Sequence, residues 1–206
     1  METLIHQFTE GIKQTHWLEY LAVLSGIASV WYSKKENILV YPVGLLNTLI
    51  YIYLSLKGDL YGEASVNIYY SVMSIYGWIV WSKRDAKNRK LVQVRFSSAT
   101  EWLHQLFFFA FFYVVLYAAL LFLKQTFAPE AIPMVDALAS ASAFTGMWLM
   151  TRKKLESWYW WILTNITSIP LYFVKGYMFT SVYYLILLII AFFGLAEWGK
   201  KAMSRS

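Results

Sequence analysis

Hydrophobic residues fall in seven long runs along the chain, separated by short polar turns. A bilayer core of about 30 Å takes roughly 20 mostly apolar residues as helix. The runs approaching that length are Trp17–Ser33, Ile38–Leu56, Ala64–Trp81, Leu103–Leu123, Ala131–Met150, Trp158–Val174 and Phe179–Trp198. The turns SKKEN, KGDLYGE, KQTFAPE, TRKKLE and KGYM carry the Gly, Pro and charge expected where helices stop. Residues 1–16, METLIHQFTEGIKQTH, are mixed and polar without a continuous apolar core. They read as an extramembrane segment, not as a cleavable signal peptide. The pattern predicts an all-α integral membrane protein, one domain over 1–206 with seven transmembrane helices.

Composition agrees. Charged residues make up 15% and hydrophobic ones 59%, where a soluble domain is about one quarter charged. There is no cysteine, so no disulfide or thiolate metal site is possible. The net charge of +6 would suggest nucleic acid in a soluble chain. Here the basic residues lie between apolar runs, where they report orientation and imply no nucleic-acid partner. One side holds Lys34, Lys35, Lys83, Arg84, Lys87, Arg89, Lys90, Arg95, Arg152, Lys153, Lys154, Lys200, Lys201 and Arg205; the other holds Lys13, Lys57, Lys124 and Lys175. The richer side is expected to be cytoplasmic. That places the N-terminus outside and the C-terminus inside, as an odd number of spans requires.

Two stretches resemble each other. "WYSKKENILVYPVGLLNTLIYIYLSLKGDLYG…WIVWSKR" runs from Trp31 to Arg84, and "WLMTRKKLESWYWWILTNITSIPLYFVKGYMF…LAEWGKK" from Trp148 to Lys201. Each opens with Trp and a basic turn, places Asn in mid-span (Asn47 and Asn165), reaches Lys-Gly ten residues later, and closes on Trp and two basic residues. One residue of slippage before the Asn is needed to match them. The repeat predicts three helices over 17–82, a linker helix over 103–123 and three helices over 131–199. An odd linker leaves both halves in the same orientation, a 3+1+3 parallel repeat of the kind that builds transporters.

Candidate binding residues follow from polar groups at depth. An amide in hydrocarbon without a partner costs several kcal/mol, by rough count. At about 100° per residue, Trp158, Trp161 and Asn165 share one helix face within about 60°. Trp160 falls on another face, as an interfacial anchor. The third span adds Asn67, Tyr70, Ser71 and Ser74 in one stripe, and Asn47 lies at mid-span. Indoles and a few amides suit a flat, polar, uncharged or cationic ring.

The motif W-x-x-W-x-x-x-N within "MTRKKLESWYWWILTN", with "SIYGWIVWSKR" at 74–84 and "GLLN" at 44–47, resembles the PnuC-type nicotinamide riboside transporters, relatives in fold of the SWEET sugar transporters. The resemblance covers nearly the whole chain after the N-terminal segment. It implies a homotrimer of SWEET-like 3+1+3 subunits and facilitated diffusion of nicotinamide riboside across the cytoplasmic (inner) membrane. A cytoplasmic kinase then traps the substrate. It also implies that Trp158, Trp161 and Asn165 contribute to the site. Family members can carry Gln where this chain has Asn67, and related members are dedicated to thiamine, so a thiamine transporter is the alternative.

Coupled pumps need titratable groups within the membrane, and these spans nearly lack them. Asp136 is the exception, either a hydrated capping residue or a cation-attracting mouth residue. The pattern therefore points to a uniporter. No nucleophile–base pair, metal cluster or phosphate loop is present in the sequence, so neither an enzyme nor a cofactor is expected. The competing class is a non-transporting membrane sensor or assembly protein.

Overall fold

A computed structural model describes residues 17–58, 61–124 and 131–204. The predicted extramembrane segment, 1–16, lies outside them. Seven helices occupy the described residues: α1 (Trp17–Lys34), α2 (Val40–Lys57), α3 (Tyr61–Ser82), α4 (Ala99–Leu123), α5 (Pro133–Thr151), α6 (Ser157–Val174) and α7 (Met178–Met203). Their lengths of 18 to 26 residues correspond to about 27–39 Å. Three of them, α2, α4 and α7, are both long and apolar enough to cross a membrane by composition alone. The other four dilute their apolar runs with small and polar residues. In α5 these are Ser142, Thr145 and Gly146, all buried against other helices.

The packing makes a ring. Helices α1, α2, α3, α5, α6 and α7 touch in that order and close, with α7 back against α1. Helix α4 stands outside, its backbone packed along α5. It shows Leu103, Phe107, Val114 and Phe122 to the surroundings. Such an exposed, uniformly apolar helix is a lipid- or subunit-facing element.

The same interactions recur at a constant spacing of 117 residues. Helix α6 begins and ends 117 residues after α2, and α7 begins 117 after α3. Tyr41 fills the space over Gly77, and Trp158 that over Gly194. Tyr41 meets Trp81 edge-on at 5.1 Å, as Trp158 meets Trp198 at 5.5 Å. Trp81 Nε1 donates to the Thr151 carbonyl (3.1 Å), and Trp198 Nε1 to those of Ser33 and Lys34 (3.2 Å each). Each of these indoles thus caps the helix end belonging to the other set of three helices. Asn47 Nδ2 reaches the Ala22 carbonyl (2.6 Å), 25 residues back, and Thr164 Oγ1 the Ala139 carbonyl (3.4 Å), also 25 back.

This spacing corrects the alignment read from the sequence. It sets Asn47 against Thr164 and Asn165 against Thr48, with no slippage. The identical amides suggested a match; the geometry follows helix position, and at the matched position a hydroxyl makes the bond.

The basic turns join the two sets. Glu36 and Lys153 both adopt left-handed backbone (φ 57° and 52°) where α1 and α5 end. The hydrogen bonds Asn37 N–Tyr32 O (2.9 Å) and Lys154 N–Leu149 O (3.1 Å) close the two turns in the same way. Lys153 Nζ then pairs with Glu36 at 2.7 Å, and Ser33 Oγ donates to Met150 Sδ at 2.9 Å. The loop before α4 is tied down rather than free. Arg95 N donates to the Lys153 carbonyl, Leu155 N to the Arg95 carbonyl, and Ser97 donates twice to Glu156. A capping box of Ser98 and Glu101 starts α4.

Candidate functional site

The candidate residues separate into two groups. Trp161, on α6, lies over Gly146 of α5, its Cε2 3.2 Å from where a Cβ there would stand. A side chain at 146 would push the indole aside. Tyr70 of α3 approaches the same indole with ring centres 6.3 Å apart, and Phe144 of α5 meets Tyr70 edge-on at 6.1 Å. Three helices thus converge on Trp161.

Asn165 lies one turn further along α6 and is 3% exposed. Among the described residues, no hydrogen-bond partner meets its amide. The antiparallel packing that places Gly146 under Trp161 brings Ser142 level with Asn165. Ser142 is fully buried and its hydroxyl has no partner. Buried amides and hydroxyls are normally satisfied, and each unsatisfied one calls for an explanation. The Ser142 hydroxyl, on the helix that faces Trp161, leaves hydrogen-bonding capacity beside an indole and a phenol.

Of the remaining candidates, Asn47, Asn67 and Ser71 hydrogen-bond to protein groups, while Ser74 and Trp158 are packed. Asn47 spends its N–H₂ group on α1. Asn67 donates back to the Glu63 carbonyl of its own helix (2.9 Å), and the Ser71 hydroxyl meets Thr48 Oγ1 at 2.8 Å. Ser74 is buried opposite Gly44. The α3 stripe therefore divides, with Tyr70 turned to α5 and α6 and the two serines to α2. Trp158 sits one turn nearer the basic end, 1% exposed against Gly194 and Trp198, its indole N–H without a partner.

Trp160 differs from expectation. It lies on another face, as helical geometry required, but it is buried rather than interfacial. Its Nε1 donates to Gln105 Oε1 of α4 (2.9 Å), and its ring lies 4.8 Å from Phe109. It anchors α4. Asp136 closes the first turn of α5 by accepting from Ile132 N (2.6 Å), and it pairs with Lys175 at 2.8 Å.

A tyrosine group that periodicity did not single out lies in the same ring of helices. Tyr172 and Tyr184 stack at 5.3 Å, Tyr183 follows Tyr184 at 5.6 Å, and Tyr184 shares a hydrogen bond with Ser168. The Tyr183 hydroxyl occupies the space over Gly26. The adjacent tyrosines in apolar α7 were the available signal, since a phenol at that depth needs a partner.

A ring of six helices enclosing an unpaired hydroxyl beside aromatic planes, with three of the seven described helices apolar enough to span, is the build of a helical membrane protein with an internal polar site. The chain belongs to the nicotinamide mononucleotide transporter family, whose model matches residues 16–200. It is 25% identical over 209 residues to the nicotinamide riboside transporter PnuC of Escherichia coli (strain K12), covering 92% of this chain and 87% of that one. It is 24% identical over 183 residues to the riboflavin/roseoflavin transporter RibM of Streptomyces davaonensis, covering 88% and 84%. The fold is similar to the crystal structure of the vitamin B3 transporter PnuC, with a TM-score of 0.72 at 23% identity, over 98% of this chain and 89% of that one.

Proposed function

We propose that this protein carries nicotinamide riboside across the cytoplasmic membrane by facilitated diffusion, as a uniporter and not as an enzyme. The observation that carries the reading is the approach of Tyr70 to Trp161 one helical turn from Asn165, a buried amide without a side-chain hydrogen bond among the described residues. A flat pyridinium ring with a carboxamide offers a face for the indole and a polar edge for the amide. Trp158 takes part from the basic end, and Asn47, Asn67, Tyr70 and Ser74 line or brace the route. A kinase on the cytoplasmic side traps the substrate by phosphorylation.

The architecture we infer is seven spans in a 3+1+3 parallel repeat, N-terminus outside and C-terminus inside, assembled as a homotrimer. The constant spacing of 117 residues and the cross-capping by Trp81 and Trp198 support the repeat. The basic turns gathered at one end support the orientation. The exposed apolar face of α4 supports its use against lipid or a neighbouring subunit.

The second reading is another flat-ring vitamin. The RibM relative, whose name gives riboflavin as substrate, favours it, and thiamine shares the cationic ring. Titration calorimetry of the purified protein with nicotinamide riboside, riboflavin and thiamine decides between them. The proposal requires nicotinamide riboside to bind with the highest affinity. Preference for riboflavin or thiamine would replace the substrate while keeping the site, and binding of none would refute both readings.

A further inference from the structure

The basic end holds a cavity of about 320 Å³ lined by none of the candidate binding residues. Its wall comes from three separate stretches of chain. Lys35, Glu36, Asn37 and Ile38 belong to the turn after α1; Trp81, Arg84 and Lys90 come from the end of α3 and the loop beyond; Lys153 comes from the turn after α5. Four cations therefore face one carboxylate. That carboxylate is already occupied, since Glu36 pairs with Lys153 at 2.7 Å and with Lys201 at 3.1 Å. Among the described residues, no carboxylate pairs with Lys35, Arg84 or Lys90.

Lys153 makes the surplus costly. It is 1% exposed, lies 4.4 Å from the centre of the Trp81 ring, and feels Lys90 and Lys201 as like charges. Burial outweighs the pairing with Glu36 and, with a smaller push from those neighbours, holds its ammonium below the usual lysine range. A cavity of this sign, with a fixed buried ammonium in its wall and flexible cations at its rim, is complementary to a compact dianion.

We propose that this cavity binds a phosphate monoester at the cytoplasmic end, and that the bound anion ties together the turns after α1 and α5, holding that end shut. The phosphate belongs to the phosphorylated form of the transported riboside or to the monoester headgroup of phosphatidic acid. The first source rests on the transport reading above and makes the trapped product a brake on further uptake.

The test does not use transport. The full chain, purified in neutral detergent, is titrated with nicotinamide mononucleotide, inorganic phosphate and phosphatidic acid, reading heat and thermal midpoint. Nicotinamide mononucleotide should bind and raise the midpoint. Arg84→Gln/Lys90→Gln should weaken that binding at least about tenfold, through loss of two charge-assisted contacts. Arg84→Lys/Lys90→Arg should restore most of it, and Asn165→Leu, at the transport site, should leave it unchanged. A response to phosphatidic acid but not to the mononucleotide assigns the cavity to a lipid headgroup. No response to any phosphate probe, or equal responses in the wild type and the double Gln variant, overturns the proposal. A mononucleotide response lost in Asn165→Leu overturns it too, by placing the ligand in the transport site.

Discussion

Replacing Asn165 by Leu separates a binding amide from a structural one. The Asn165 side chain is buried and has no hydrogen-bond partner among the described residues. Its removal therefore strands no protein group. Thermal stability without ligand should be unchanged or higher. With ligand, one hydrogen bond is lost, worth about 0.5–1.5 kcal/mol, or roughly two- to thirteenfold in affinity. Asn47→Leu supplies the contrast. Asn47 donates to the Ala22 carbonyl at 2.6 Å and ties α2 to α1. Interhelical bonds of this type in membrane proteins average about 0.6 kcal/mol and reach about 1.7. Asn47→Leu should thus lower the midpoint. Thermal unfolding by intrinsic fluorescence, with and without nicotinamide riboside, reads both quantities on the same sample. If Asn165→Leu lost as much stability as Asn47→Leu and bound normally, the amide would be structural and the site assignment wrong.

The glycines under the aromatic pairs give a second test. A Cβ at Gly194 would lie 2.7 Å from Trp158 Cε2, so Gly194→Ala should cost about 1–3 kcal/mol by overpacking. Gly199→Ala, with nothing within 4 Å, should be neutral or mildly stabilising, as denaturant or thermal titration would show. Acid sensitivity should trace to Glu36. Burial opposes its charge, but Lys153 and Lys201 outweigh that and hold the carboxyl below its ordinary range. Its contribution is therefore full above an ordinary carboxyl pKa of about 4.3 and falls as pH drops through the depressed folded value. Glu36→Gln should flatten that acid limb in a stability–pH profile. Topology is testable because the chain has no native thiol. Ser98→Cys should resist an impermeant maleimide in intact cells, and labelling from outside would contradict the orientation.

The sequence carried the seven helices because their signals were local. Run length and basic turns marked each helix to within a few residues, and Trp81 and Trp198 were visible as paired closing residues. The site was legible only in part. Helical periodicity placed Trp161 and Asn165 on one face, but it is blind to what another helix presents to them. Nothing in the sequence marked Ser142 in α5, because its lack of a partner exists only once α6 is packed against it. Trp160 was misread for the same reason. Its face was right, yet Gln105, the group it meets, is 55 residues away. The match of Asn47 to Asn165 followed residue identity, whereas the packing repeats by position and lets Thr164 stand in for an amide.

Uptake into empty proteoliposomes tests the central claim most directly. Purified protein in vesicles, given labelled nicotinamide riboside outside and no ion gradient, should fill them until inside and outside concentrations are equal. Unlabelled nicotinamide riboside should compete, and Trp161→Ala should slow the initial rate at subsaturating substrate several-fold, about the value of one aromatic contact. Filling no faster than protein-free vesicles, or accumulation above equality that appears only with a proton or sodium gradient, would contradict the account.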